Sequence, residues 1–312
     1  DVVGFGLDAD AGSLAVYKNN VLQGTITGSG LGDAGSYSPV VAPPAAGSCS
    51  FNFGQRPFAY TPPTGFLKIN TFNLPDSNIE KGSDYFNTVL YTGTGSSRSI
   101  TGVGFQPDWT WLKNRTAAWN NKLFDAVRGA GKYLITDSSA AEATDLNQLS
   151  SFDSDGFSLG TQVSVNGSGN SLVSWNWKAN GSGVTDNSGT LNATVSANTT
   201  SGFSIVKYTG AGGGANTFAH GLGVAPEVVI TKTIDGSPAY NWNTYHVGLD
   251  ATAPQDYFIA LDTTAARSYY TAANLWNRTK PSSTVVSVNS VASAGNVGEQ
   301  MLAYCFAPVE GY

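Results

Sequence analysis

The segment Arg267-Ser268-Tyr269-Tyr270-Thr271-Ala272-Ala273-Asn274-Leu275-Trp276-Asn277-Arg278 carries the side chains best suited to hold a ligand. Tyr269 and Tyr270 are adjacent, so on a strand they point to opposite sides and at least one faces solvent. An exposed ring beside amide and guanidinium groups fits carbohydrate: the ring covers C–H faces while the polar groups bind hydroxyls. Tyr269, Tyr270, Trp276, Asn277 and Arg278 are therefore the candidate ligand-binding residues. A loop packed on its own sandwich or on a neighbouring subunit is the plainer alternative. Arg115-Thr116-Ala117-Ala118 is a weaker candidate of the same kind.

Other chemistries find less to work with. Asp8 and Asp10 read as a hairpin turn, and so do Asp153 and Asp155 in Asp153-Ser154-Asp155-Gly156. Two carboxylates supply too few oxygens for Ca²⁺. A glycosidase needs two carboxyls about 5–9 Å apart in a cleft, and no spacing marks such a pair. His220 and His246 are the only histidines, Cys49 and Cys305 the only cysteines. They are too few for a zinc set, and neither His has the setting of a nucleophilic triad. Both Cys lie in apolar alternating stretches, which predicts small buried thiols. Gly210-Ala211-Gly212-Gly213-Gly214 lacks the Lys-Ser/Thr of a phosphate cradle. No catalytic residue, metal ligand or cofactor is assigned, and the expectation is a non-enzyme.

Composition narrows the partners. The chain has 312 residues, with 16 Lys+Arg against 22 Asp+Glu and a net charge of −6. So few cations neutralise few phosphates, which argues against nucleic acid. No apolar run approaches the ~20 residues of a membrane span. Aromatics reach 12 %, nearly as many as all charged residues together, so the chain can bury a core and is not disordered.

These side chains must be positioned by strands. Turn formers recur every ~8–12 residues between β-branched and aromatic runs, the mark of an all-β sandwich or barrel. Alternation is clear in Ser13–Tyr17, Trp109–Leu112, Ser174–Trp177 and Val285–Val288. The expected fold is all-β: tandem antiparallel β-sandwiches of jelly-roll or concanavalin-like kind. Three segments emerge, 1–66, 67–181 and 182–312. In the first, strands are expected at Val2–Asp8, Ser13–Tyr17, Tyr37–Val41 and Ser48–Phe53.

The rest reads as a duplication. Tyr91-Thr92-Gly93 recurs as Tyr208-Thr209-Gly210, and Gly104–Lys113 recurs as Gly223–Lys232. Trp119–Phe124 is matched to Trp242–Val247, Tyr133–Asp137 loosely to Tyr257–Asp262, and Ser174–Lys178 to Ala303–Ala307. Two homologous sandwiches of about 110 residues follow, an ordinary domain size. Asn180–Gly189, rich in Gly, Ser and Asn, is expected to be the linker. Trp109 and Trp111 correspond to Val228 and Ile230, and Trp175 and Trp177 to Tyr304 and Phe306. Aromatic traded for aliphatic at spacing two implies a buried face, so these indoles are expected to fill interiors. Trp119 and Trp242, paired by the same matching, are expected to be structural as well, with a repeated ligand-stacking position as the alternative.

Two resemblances add context. Asp1–Leu14, Val16-Tyr17-Lys18-Asn19-Asn20 and Phe51–Phe58 resemble the second half of a SPRY (B30.2-like) domain. That resemblance implies a partial SPRY-like sandwich, the C-terminal part of something longer, whose exposed strand edges need covering. Gly202–Gly210, His220–Pro226 and Ala303–Tyr312 resemble an uncharacterised family common in tailed-bacteriophage virion proteins. What this implies is a non-enzymatic structural or adhesive virion component, a tail-fibre-like appendage presenting loops to a host surface glycan. Its partners would be other virion proteins and further copies in a homotrimer, and its location the virion. The alternatives are a capsid or tail decoration protein that binds only virion proteins, and a polysaccharide-degrading tailspike.

Overall fold

Alternating apolar residues between turn formers build strands nearly everywhere, and the protein is all-β. The computed structural model describes residues 1–31, 40, 48–69, 77–212, 214–235, 240–269, 275–310 and 312. Of the strand expected at Tyr37–Val41 only Val40 is among them, in no strand, and the candidate residue Tyr270 lies outside them. The chain divides into two compact units, Asp1–Asp76 and Ser77–Tyr312.

In the first unit, β1 (Val3–Asp8), β2 (Ser13–Lys18) and β3 (Val21–Thr27) form an antiparallel meander. Asn19 and Asn20 take the positive φ that its second turn requires. Register puts Phe5 against Val16 and Leu7 against Leu14, which in turn faces Ile26. Phe5, Leu7 and Ile26 on this apolar face remain exposed. No strand is described for Ser48–Phe53, and Cys49, expected to be buried, is an exposed free thiol.

The second unit begins with β4 (Phe86–Thr92), β5 (Arg98–Thr101), β6 (Trp109–Asn114), β7 (Lys122–Asp125) and β8 (Lys132–Ile135). Next come β9 (Ala143–Thr144), β10 (Leu149–Asp153), β11 (Gly156–Leu159), the single-turn helix α1 (Val163–Asn166) and β12 (Ser171–Trp177). The sheet β4-β12-β6-β7-β8-β9 packs on β10-β11-β5 around Ile100, Leu112, Phe124, Leu149 and Phe157. This is the first sandwich.

The second continues with β13 (Val184–Asp186), β14 (Ala193–Asn198), β15 (Phe203–Thr209), β16 (Asn216–Ala219), β17 (Val228–Thr233) and β18 (Asn243–His246). It ends with β19 (Tyr257–Ala260), β20 (Ser268–Tyr269), β21 (Val285–Val288), helix α2 (Ala292–Gly295) and β22 (Gln300–Phe306). The sheet β13-β14-β15-β22-β17-β18-β19-β20 is covered by β16-β21, with Val206, Tyr208, Phe218, Val229, Met301 and Cys305 between them.

The repeated Tyr-Thr-Gly now has a physical reason. The Tyr91 hydroxyl donates to the Val165 carbonyl at 2.8 Å, and the Tyr208 hydroxyl to Ala294 at 2.6 Å, so each ties its strand to the short helix. A Cβ on Gly93 would meet the Gly167 carbonyl at 2.2 Å, and one on Gly210 the Asn296 carbonyl at 2.0 Å. Only glycine allows that approach.

Ladder register corrects the residue matching. Trp177 pairs with Phe86 and Trp109 as Phe306 pairs with Phe203 and Val228. From that anchor, Trp111 opposite Leu123 corresponds to Ile230 opposite Thr244. Lys122 then answers to Asn243, so Trp242 is equivalent to Asn121, and Trp119 to Tyr240. The Trp-Asn dipeptides at 119 and 242 are two residues out of register. Trp242 is 1 % exposed, whereas Trp119 is 42 % exposed and not a core residue.

The expected linker is not slack. Ala179 is buried and its N–H donates to the Asp108 carboxylate at 2.7 Å; the Asn180 N–H donates to Ser196 Oγ at 2.8 Å. Within the stretch, Val184–Asp186 forms β13 and pairs with β14. Backbone N–H groups that find acceptors order a Gly-rich stretch that composition alone reads as loose.

Candidate functional site

The tryptophans of the first sandwich do not fill its own interior. Strand alternation places Trp109, Trp111, Trp175 and Trp177 on the outer face of the six-stranded sheet. There Trp109 packs with Phe203, Tyr304, Trp242 and Leu302 of the second sandwich, and Trp177 and Phe306 close around them. Trp109 lies 5.1 Å from the Tyr304 ring and 5.7 Å from that of Phe203. The two sandwiches thus meet face to face through an aromatic layer.

Polar groups lock this layer. Asp125 and Arg128 form a fully buried ion pair at 2.6 Å, and the Tyr304 hydroxyl donates to the same Asp125 oxygen at 2.7 Å. Burial pushes the Tyr304 phenol well above its ordinary value, with the Asp125 charge adding to it, so Tyr304 stays a donor. Desolvation works against the Arg128 charge, but Asp125, Tyr304 and Glu142 together outweigh it and hold the guanidinium ionised.

The segment joining β8 to β9 reaches across. Trp242 Nε1 donates to the Ile135 carbonyl at 3.0 Å and to Ser138 at 3.2 Å. Lys232 Nζ donates to the Ser139 carbonyl at 2.8 Å and to Tyr240 at 2.7 Å, and the Glu142 N–H donates to Ile234. Burial lowers the Lys232 ammonium to about 8, against the opposing pull of Asp262.

Beyond this contact, the outer face of the first sandwich stays open. Trp111, Trp175 and Trp177 are half-buried and, with Lys113 and Asn121, line a groove of about 430 Å³. Trp111 and Trp175 stand 5.9 Å apart with their planes 61° off parallel. Lys113 Nζ donates to the Trp119 carbonyl at 3.2 Å. Alternation in the sequence identified these indoles as one face, but not which face, and so placed the groove residues in a core.

The segment read from the sequence as the binding loop is only partly assembled into a site. Tyr269 is 50 % exposed, and Arg278 Nη1 donates to its hydroxyl at 3.2 Å while pairing with Asp256 at 3.1 Å. The Tyr257 ring stands edge-on to Tyr269, and Arg267 lies over Tyr257 at 4.3 Å. Asn277 and Arg278 both adopt positive φ, which turns the chain beneath Tyr269. Trp276 is a correction. It is 1 % exposed, packed against Tyr245, and its indole N–H donates to the Tyr257 carbonyl at 3.1 Å. The bulk of the ring drives it into the core of the second sandwich, and it offers no surface to a ligand. The Arg115 loop remains exposed and makes no cluster of this kind.

Titratable groups elsewhere are engaged in structure. His220 is buried, with Nε2 against the Ser282 carbonyl and Nδ1 accepting the Leu222 N–H; burial lowers its pKa. Burial raises the Asp108 carboxyl, which still accepts from Ala179. Cys305 is a buried free thiol pushed up to about 12 by desolvation. Among the described residues, no three His, Cys, Asp or Glu side chains gather as metal ligands.

Searches of curated proteins and of solved structures find no match. Residues 81–312, the span of both sandwiches together with the aromatic layer that joins them, match the family described as a domain of unknown function, DUF7483, and the chain belongs to that family.

Proposed function

We propose that the chain is a non-enzymatic structural and adhesive component of a bacteriophage virion, of tail-fibre-like kind, whose second sandwich contacts host surface glycans. The observation that carries the adhesive part is the patch at β20. A half-exposed Tyr269 ring lies beside the Arg278 guanidinium, and Arg267 covers the neighbouring Tyr257 ring; Asp256 and Asp250 hold the two guanidinium groups in place. Such a ring covers the apolar side of a sugar, and fixed guanidinium N–H groups donate to its hydroxyls. The virion assignment rests on the sequence resemblance, and the homotrimer on the same analogy, in which closed symmetry covers sheet edges.

The commitment of the buried acids supports a binding role over hydrolysis. Asp125 is held by Arg128 and Tyr304, and Asp108 by the Ala179 N–H, so neither stands free in a cleft. The apolar face of Phe5, Leu7 and Ile26 favours a second reading, a decoration protein that docks on other virion proteins.

A glycan array separates the two. The intact protein is expected to bind a subset of bacterial surface glycans, and Tyr269→Ala and Arg278→Ala to lose that binding with an unchanged melting curve. A silent array would remove the adhesive reading and leave the decoration protein.

A further inference from the structure

The contact that joins the two sandwiches is built from parts that occur twice, and it uses each part once. Segment 135–142 of the first sandwich accepts from Lys232 and Trp242 of the second. Segment 260–267 is its equivalent, because Leu134 opposite Leu123 corresponds to Ile259 opposite Thr244. The two are equal in length and close in sequence: Asp137-Ser138-Ser139-Ala140-Ala141 against Asp262-Thr263-Thr264-Ala265-Ala266.

They also share their internal hydrogen bonds. Asp137 accepts the Asn121 N–H at 3.0 Å, and Asp262 accepts the Trp242 N–H at 3.1 Å. Ala140 donates to Ser138 Oγ at 3.2 Å, as Ala265 does to Thr263 Oγ1 at 3.3 Å. The second segment is therefore already shaped as the first is in its contact. Yet Thr263, Thr264, Ala265 and Ala266 are all exposed.

The receiving surface is duplicated too. The groove residues Trp111, Lys113, Asn121, Trp175 and Trp177 are the positional equivalents of Ile230, Lys232, Trp242, Tyr304 and Phe306. Lys113 already donates to the Trp119 carbonyl, as Lys232 does to that of its counterpart Tyr240. The second carbonyl that Lys232 takes, from Ser139, has as its equivalent Thr264.

We infer that segment 260–267 of one copy docks into the Trp111–Lys113–Trp175 groove of a second copy, so that chains join head to tail. The Thr264 carbonyl would accept from Lys113 Nζ and the Thr263 carbonyl from the Asn121 amide, repeating the internal contact. A two-repeat chain forms one such contact within itself and leaves one donor segment and one groove, which a heterologous interface joins into rings or open strings. Trp109 is buried by the chain's own second sandwich and Trp177 half-covered by it, so the incoming copy engages chiefly through the segment. That area falls below the ~1,200–2,000 Å² of standard stable interfaces, and the association is concentration-dependent. It stands whether or not the Tyr269 patch binds a sugar.

Sedimentation of the full chain over a concentration series tests this with two variants, Lys113→Glu in the groove and Ala265→Arg on the segment. Wild type is expected to gain mass with concentration, and each variant alone to stay monomeric. Near-UV circular dichroism checks that both keep the native fold; Ala265 is exposed and its variant folds. Mixed, the variants leave one intact donor and one intact groove between them, so a two-chain mass returns and goes no further. A wild type that stays monomeric, self-association surviving in both variants, or a mixture without the two-chain species would each overturn the proposal. So would a monomer whose groove takes up a sugar.

Discussion

The larger sheets of the two sandwiches share the order and register of six strands, β4-β12-β6-β7-β8-β9 and β15-β22-β17-β18-β19-β20, and even the bonds of their β8–β9 and β19–β20 connections, yet their outer faces have different fates. On the second, Lys232 and Trp242 are buried against segment 135–142, and Tyr304 against Trp109 and Asp125. On the first, Lys113, Asn121 and Trp175 stay half-open around a groove. Duplication explains the resemblance, and position in the chain explains the difference: a repeat that has a predecessor is covered by it. Side-chain type follows. Where the seat is filled, an indole and a phenol reach neighbouring carbonyl and carboxylate groups; where it is open, the residue at Trp242's place is a polar Asn.

Substitutions at paired positions break or sharpen this contrast. The largest effect is expected from Trp242→Ala, which empties a buried indole site and removes donors from two carbonyls. It should cost about 3–5 kcal/mol in urea unfolding. Trp119→Ala, which the sequence matching treats as the same change, should stay within ~0.5 kcal/mol. Equal losses would refute the register equivalence.

Tyr304→Phe comes next. It strips the buried hydroxyl from Asp125 and should cost about 1–3 kcal/mol, whereas Trp175→Tyr, the swap toward the residue of the other repeat, should stay within ~0.5 kcal/mol. A neutral Tyr304→Phe would show that the aromatic layer holds without its hydrogen bond.

A dependence on pH comes last, because its effect is spread over the interval between two pKa values. Lys232 titrates near 8 when folded, below its value of ~10.4 in an unfolded chain. Between those values the unfolded state binds more protons, so this residue makes stability rise with pH, by at most ~1.4 kcal/mol per pH unit. The stability difference between wild type and Lys232→Met should therefore shift in favour of wild type from pH 8 upward. A difference that stays flat from pH 8 to pH 10 would mean that Lys232 keeps its proton under segment 135–142.

The duplication and the strands were legible because both are one-dimensional patterns. Which side of a sheet faces which neighbour was not. In Ser174-Trp175-Asn176-Trp177 the alternation separates polar from aromatic, and the usual inference sends the polar side to water. Here Ser174 and Asn176 are fully buried, with Asn176 accepting from Thr110 and donating to Asn87 and Ser174. The polar side is the covered one and the aromatic side stays half-open, so alternation reports only which residues travel together. Trp119 misled for a related reason: the Trp-Asn dipeptide recurs by coincidence, and only cross-strand pairing exposes the two-residue offset. At the candidate loop, Tyr269 and Arg278, named together from the sequence, are in hydrogen-bond contact. The sequence could not tell an anchoring ring from a presented one, and Trp276 is the anchor.

The pinned connection after β12 has a mechanical meaning. Asp108 and Ser196 grip successive backbone amides from opposite sandwiches, and β13 is stitched into the next sheet a few residues later. Tension entering through one sandwich finds no slack to reel out before it loads the aromatic layer. Stretched in a single-molecule pull, the pair should give way as one rip of the combined length, the response of a strut rather than of a chain of beads.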